Sequence, residues 1–274
     1  MSINQTRFCL NRIICPRLNL EEFFKLTQQV GLTSVELRND LPGSQLIDTL
    51  TPTQVNELAK RYNIRIITIN AVQKFNLATA AANVDDSLEE MLQTAVSIRC
   101  QSIVLCPNND TNDRRSSEQC YQKTVTALAL IAPVLKSSDV IGLVEPLGFE
   151  ESSLRSKNKA IQAIQDSGFD DIYRLVHDTF HHFLAPQETI PANKIGMVHI
   201  SGVESQLPKE QIRDEHRVLI GPDDMLNTKE QLDELERNGY SGMYSFEPFS
   251  SHVQQLPFTE LMASIQKSIA YLTE

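Results

Sequence analysis

The chain contains no tryptophan, only ten glycines in 274 residues, and 6% aromatic residues. It has neither a G-x-G-x-x-G turn nor a G-x-x-x-x-G-K-[ST] loop, which excludes the usual glycine-rich cradles for dinucleotides and nucleoside triphosphates. Its five cysteines (Cys9, Cys15, Cys100, Cys106 and Cys120) are odd in number and include no C-x-x-C pair. A disulfide framework and a structural zinc knot are therefore not expected. Cys9, Cys100 and Cys106 lie in or beside apolar runs, where a reduced thiol behaves as a small hydrophobe. The longest apolar run, Thr126 to Leu135, includes a proline and is about half of what a bilayer-spanning helix needs. The first twenty residues have no signal-peptide pattern, so the expected location is cytoplasmic, with no membrane partner.

Basic residues are also in deficit, 25 against 35 acidic, giving a net charge of −10 and a pI near 5.1. Nucleic-acid binding relies on a basic face that neutralises phosphates, and this balance argues against it. The apolar fraction, 41%, is that of an ordinary folded globule.

What is present is an alternation. Strand-like runs occur at Phe8–Cys15, Ser34–Arg38, Arg65–Asn70, Ser102–Pro107, Val140–Pro146, Ile172–Asp178, Ile195–Ile200 and Met243–Pro248. Amphipathic helical stretches separate nearly all of them: Leu20–Val30, Pro52–Tyr62, Val84–Ile98, Ser117–Leu135, Lys157–Ser167, Lys229–Asn238 and Gln255–Tyr271. A short, weakly helical segment follows the sixth strand. Eight strands in such an order, with no polar linker between them, predict an α/β fold: a single (β/α)₈ TIM barrel domain over 1–274. One connection is long. Ser201 to Thr228, with D-E-H-R at Asp214–Arg217, follows the seventh strand and is expected to cover the active face as a lid or substrate loop.

Strands five to eight each end in a metal-ligand type: Glu145, Asp178, His199 and Glu247. Alternation along a strand puts Glu145 on a face with Leu143, Glu247 with Ser245 and Met243, and His199 with Met197. Each is then the last inward group at the C-terminal mouth of the barrel. Three carboxylates and an imidazole converging there repel one another unless a cation sits among them. The donor set predicts one divalent ion: manganese, zinc or cobalt, with magnesium allowed.

These residues carry a resemblance. The strand-end Glu145, the D-T-F-H at Asp178–His181, the V-H-I-S-G around His199 and the F-E-P-F around Glu247 resemble the xylose-isomerase-like TIM barrel superfamily over essentially the whole chain. That superfamily includes sugar isomerases and epimerases, inositol-catabolism enzymes and endonuclease IV. More narrowly, V-E-L-R at 35–38, I-N-A-V-x-x-F-N at 69–76, H-R-V-L-I-G-P-D-D at 216–224 and Y-S-F-E-P-F at 244–249 resemble inosose (2-keto-myo-inositol) isomerases. The resemblance implies the same four metal ligands and a metal-dependent isomerase of a cyclic polyol ketone, acting by enediolate proton transfer in inositol catabolism.

Glu145 and Glu247 are then the candidate catalytic base and acid, as the matching pair is in related ketose epimerases. His181, Arg217 and Asn70 are candidate substrate contacts. His177 is expected to point away from the barrel axis and pack, His182 and His252 to lie on the surface, and Glu36 and Arg38 to form an ordinary ion pair. Inosose dehydratase, hydroxypyruvate isomerase and ketose 3-epimerase are alternatives on the same barrel. An abasic-site endonuclease and a non-catalytic sugar-binding barrel come further behind. None of the six histidines precedes His177, so the histidine ligands that endonuclease IV draws from strands two to four are missing. His181, Asp214 and His216 leave a second ion open. The expected partner is a small polyol or sugar ketone rather than nucleic acid, and self-association is left open.

Overall fold

The computed structural model describes residues 3–41, 43, 45–78 and 86–274. Seven strands come first: β1 (Phe8–Asn11), β2 (Ser34–Arg38), β3 (Arg65–Val72), β4 (Ser102–Leu105), β5 (Ile141–Val144), β6 (Tyr173–Asp178) and β7 (Ile195–Ile200). Two short strands, β8 (Gly202–Val203) and β9 (Arg217–Val218), precede the last, β10 (Met243–Phe246). All but β8 and β9 close in the order β1-β10-β7-β6-β5-β4-β3-β2, and every neighbouring pair is parallel. This is a single (β/α)₈ TIM barrel. Around it lie α1 (Leu20–Val30), α2 (Pro52–Tyr62), α3 (Asp86–Ser97), α4 (Ser117–Ser137), α5 (Lys157–Asp166), the short α6 (Thr179–Leu184), α7 (Thr228–Arg237), α8 (Ser251–Gln254) and α9 (Phe258–Thr273). Among the described residues, no helix is long and apolar enough to cross a membrane.

Local chemistry sets the element ends. Asn19, Thr51 and Ser116 each accept a backbone N–H at the third helical position and receive the reciprocal Glu or Gln contact, closing capping boxes on α1, α2 and α4. Gly31 ends α1 at φ 92°, a left-handed geometry that glycine adopts without steric penalty. Val84, expected as the start of the third helix, lies outside the described residues.

Three strands stop short of their expected ends for one reason. β4, β5 and β10 end at Leu105, Val144 and Phe246, each two residues before a proline. The intervening Cys106, Glu145 and Glu247 each donate one last backbone hydrogen bond, to Val72, Leu105 and Ile200. The following proline has no N–H with which to continue the ladder. β1 stops at Asn11 because its side chain accepts from Ile13 N and turns the chain into a short 3₁₀ segment, Arg12–Ile14.

Most of the core lies between strands and helices, where Phe8, Phe23, Phe24, Val35, Leu128, Leu175, Phe246 and Ile265 are buried. The barrel interior has a separate, smaller cluster: Cys9, Ala71, Val104, Cys106, Leu143, Val176 and Met197. All five cysteines are free and buried. The long connection after β7 is ordered. Within it β8 and β9 pair antiparallel. Asp224 accepts from the backbone of Val203, Leu226 and Thr228, fixing the end of the excursion to α7.

Candidate metal centre and its surroundings

Glu145, Asp178, His199 and Glu247 meet above the interior cluster, each offering one donor atom, all within 4.8 Å of one another. β6 and β7 place Asp178 opposite His199 in register, and β10 places Ser245 opposite His199, two residues before Glu247. His199 Nδ1 is 3.0 Å from Glu145 Oε1, 3.4 Å from Glu247 Oε2 and 4.0 Å from Asp178 Oδ2. All four residues are at most 3% exposed. Three buried carboxylates around one imidazole nitrogen form a donor set suited to a divalent ion of intermediate hardness, so the residues fit a metal. Among the described residues this is the only such group; His181, Asp214 and His216 do not come together as donors.

The second ring of contacts is largely invisible in the sequence. Glu247 Oε1 accepts from Asn11 Nδ2 (3.1 Å), Asn70 Nδ2 (3.1 Å) and Arg38 Nη1 (2.7 Å). Its other oxygen accepts from Arg217 Nη2 at 2.9 Å. The same Arg217 nitrogen donates to Asp178 Oδ2 at 2.6 Å. Arg38 and Arg217 both stack on the Phe249 ring, 5.2 and 4.8 Å from its centroid. Each also has an outer, more exposed partner, Asp40 for Arg38 and Asp214 for Arg217.

The expected Glu36–Arg38 ion pair does not form. Arg38 turns to Asp40 and Glu247, while Glu36 approaches His199 Nε2 at 3.1 Å and accepts from Ser245 Oγ at 2.7 Å. Alternation puts Glu36 and Arg38 on the same inner face of β2, but at different depths, so each meets a different layer of the barrel.

Asn70 and Arg217, expected at the substrate, rest on the ligand carboxylates. His181 differs: it is buried, its ring packs edge-on against Phe149 and Phe180, and its Nδ1 has no hydrogen-bond partner. His177 packs as expected, fully buried with Nε2 3.0 Å from Gln231 Oε1. His182 is half-buried rather than fully exposed: its Nδ1 is 3.1 Å from Lys157 Nζ and its ring lies 4.9 Å from that of His177. His252 is exposed.

Burial penalises a charged His199, yet Glu247, Glu36 and Glu145 outweigh it and hold its pKa well above the ordinary histidine value. Burial raises both glutamates as well. At Glu145 the charge and hydrogen bond of His199 prevail and the group is lowered. At Glu247 burial prevails against His199, Arg217 and Arg38, pushing the carboxyl up to about 8.

A cavity of about 790 Å³ lies elsewhere. It opens at the N-terminal mouth, where Ile67, Leu143, Met197 and Met243 line it, and it contains none of the four donors. The four donors lie at the opposite, C-terminal end of the strands, where barrel active sites form.

Residues 24–274 match the xylose isomerase-like TIM barrel family. Among solved structures, a xylose isomerase domain containing protein from Salmonella typhimurium LT2 is 39% identical, covers 100% of both chains and superposes with a TM-score of 0.92. The IolI protein with a bound zinc atom is 21% identical, over 97% of this chain and 98% of its own, with a TM-score of 0.85. An L-ribulose 3-epimerase is 19% identical, over 98% of this chain and 93% of its own, with a TM-score of 0.75. No protein of curated function matches. The chain belongs to the xylose isomerase-like TIM barrel family.

Proposed function

We propose that the protein is a divalent-metal-dependent isomerase of an uncharged cyclic polyol ketone, with 2-keto-myo-inositol the leading substrate and a 1-keto-chiro-inositol the product. The observation that carries the substrate class is the charge balance of the buried site. Four carboxylates (Glu36, Glu145, Asp178 and Glu247) and two guanidiniums (Arg38 and Arg217) are at most 4% exposed there. With all four carboxylates ionised and His199 neutral, as metal binding requires, that leaves two negative charges, which one divalent ion cancels. Both arginines are already engaged by carboxylates on their inner and outer sides. Neither guanidinium of this cluster is left over for a phosphate or carboxylate on the substrate, the buried Lys157 nearby is turned to His182, and burying such an anion uncompensated is strongly unfavourable. This favours a neutral polyol ketone over hydroxypyruvate, sugar phosphates and abasic DNA.

Glu145, Asp178, His199 and Glu247 would hold the ion. When bound, it would polarise the ketone and favour loss of a proton from the neighbouring carbon. Glu145 and Glu247 reach the site from different strands, so one can remove the proton from the carbon adjacent to the ketone while the other delivers one to the ketone oxygen. The resulting enediol then takes a proton at the former carbonyl carbon and loses one from the neighbouring hydroxyl. The ketone has moved by one carbon with no redox cofactor. Asn11, Asn70, Arg38 and Arg217 orient Glu247, and His181, on the segment that follows Asp178, is the candidate contact to a substrate oxygen. The neighbours support the reading: IolI carries zinc, and L-ribulose 3-epimerase is by name a ketose epimerase.

The test is incubation with 2-keto-myo-inositol and Zn²⁺, Mn²⁺ or Co²⁺ in heavy water, followed by removal of protein and metal and NMR of the polyols. A new ketoinositol resonance supports the isomerase. Loss of water from the substrate assigns a dehydratase instead, and no change with any neutral ketose contradicts the enzyme reading.

A further inference from the structure

Glu36 is a fully buried carboxylate on β2 with no lysine or arginine partner among the described residues. Its two oxygens are nonetheless both used. Oε1 is 3.1 Å from His199 Nε2, and Oε2 accepts from Ser245 Oγ at 2.7 Å. A buried carboxylate is costly unless it has a specific partner, and His199 is the titratable partner it touches. The other ring nitrogen, Nδ1, faces Glu145, Glu247 and Asp178. One imidazole thus lies between a carboxylate behind it and the donor cluster in front.

From this geometry we infer that Glu36 is a positioning residue for the metal centre: it keeps the ring proton of His199 on Nε2, so that Nδ1 presents its lone pair to the ion. Ser245 holds Glu36 in place by binding the oxygen that His199 does not use. A histidine ligand whose far nitrogen donates to a carboxylate is fixed in tautomer and ring rotation and is a stronger donor, and removing such a partner typically weakens metal binding about 10- to 100-fold. The inference rests on the proposed metal site, and it adds a fifth residue, from a strand that supplies no ligand.

The experiment measures Zn²⁺ affinity of the full chain by competition with a chromophoric chelator, for wild type, Glu36→Gln and Glu36→Ala. Two further readouts do not depend on activity: the Co²⁺ absorption bands, and the ¹⁵N signals of His199 in the Zn²⁺ form. In Glu36→Gln the amide oxygen would still accept from Nε2–H but without charge, so about tenfold weaker binding is expected, and about 100-fold for alanine. The wild-type Zn²⁺ form should show a protonated Nε2, with that signal shifted in Glu36→Gln and the Co²⁺ bands displaced. Should the alanine variant fail to fold, the isosteric glutamine variant decides. Wild-type affinity and spectra in Glu36→Gln would overturn the role of Glu36 alone. Absence of Zn²⁺ uptake by the wild type would overturn the metal site itself, and this inference with it.

Discussion

Arg217 Nη2 lies 2.6 Å from Asp178 Oδ2, so a residue on the long excursion after β7 neutralises a proposed metal ligand on β6. The excursion is joined to the centre through this side chain, and Arg217 is only 1% exposed. Its role is electrostatic as well as steric, because the same nitrogen also reaches Glu247.

Replacing Arg217 by leucine should therefore leave two buried carboxylates undercompensated. Breaking such a pair costs about 3–5 kcal/mol, which corresponds to a fall in Tm of roughly 5–9 °C for a chain of this size. A divalent ion should restore more stability to this variant than to wild type, since it meets a more negative site. Thermal melts with and without Zn²⁺ check this. An equal Zn²⁺-induced shift in both proteins would separate Arg217 from the centre.

Lys157 is 3% exposed and touches His182 rather than a carboxylate. Burial lowers its pKa from 10.5 to about 8, with Asp178, Glu188 and Glu145 opposing. Between these values the unfolded chain binds more protons than the folded one, so stability should rise with pH from about 8 to about 10.5. Below about pH 8 the full penalty of the buried charge remains, about 3 kcal/mol. Lys157→Met should be more stable than wild type at about pH 7, and the difference should shrink above about pH 8. Urea unfolding of both proteins at about pH 7 and about pH 10 measures it; a pH-independent difference would contradict the assignment.

Gly148 lies against the backbone that carries His181. A Cβ there would come within 2.3 Å of the His181 carbonyl oxygen and 2.7 Å of Leu184 Cβ. The main chain of α6 would have to move, and overpacking of this kind costs about 1–3 kcal/mol. Gly148→Ala should lower stability and raise KM for the polyol ketone, because His181 is displaced. Steady-state kinetics beside a thermal melt test this, and an unchanged KM would remove His181 from the substrate.

The barrel is legible in the sequence because each strand is a short apolar run bounded by punctuation, and β2, β7, α1 and α2 have the expected bounds. The strand-end donors are legible for the same reason. A polar residue at the end of an otherwise apolar inner face has few structural reasons to be there. What cannot be read are contacts that depend on depth and on closure of the barrel. Glu36 and Arg38, two residues apart, look like an ion pair until the barrel places Arg38 over Glu247 and Glu36 behind His199. Asn11 and Glu247 meet only because β1 pairs with β10, bringing together the two ends of the chain. His182 looks like a surface residue because nothing local signals the Lys157 packed against it.

The charge balance predicts selectivity among substrates. With 2-keto-myo-inositol or a free ketose turning over, the corresponding phosphate esters and hydroxypyruvate should be turned over at least about 100-fold less well in kcat/KM, on the order of 3 kcal/mol of discrimination. Comparable turnover of an anionic substrate would mean that Arg38 or Arg217 leaves its carboxylates during catalysis.

The measurement closest to the central claim follows solvent deuterium into the carbon next to the ketone, by mass spectrometry, in wild type and Glu247→Gln with metal occupancy measured in both. Deuterium should be incorporated by the wild-type protein and not above background by Glu247→Gln, even where the variant still holds its metal. Wild-type exchange rates in a metal-loaded Glu247→Gln, or product formed by the wild-type protein with no solvent deuterium, would contradict it.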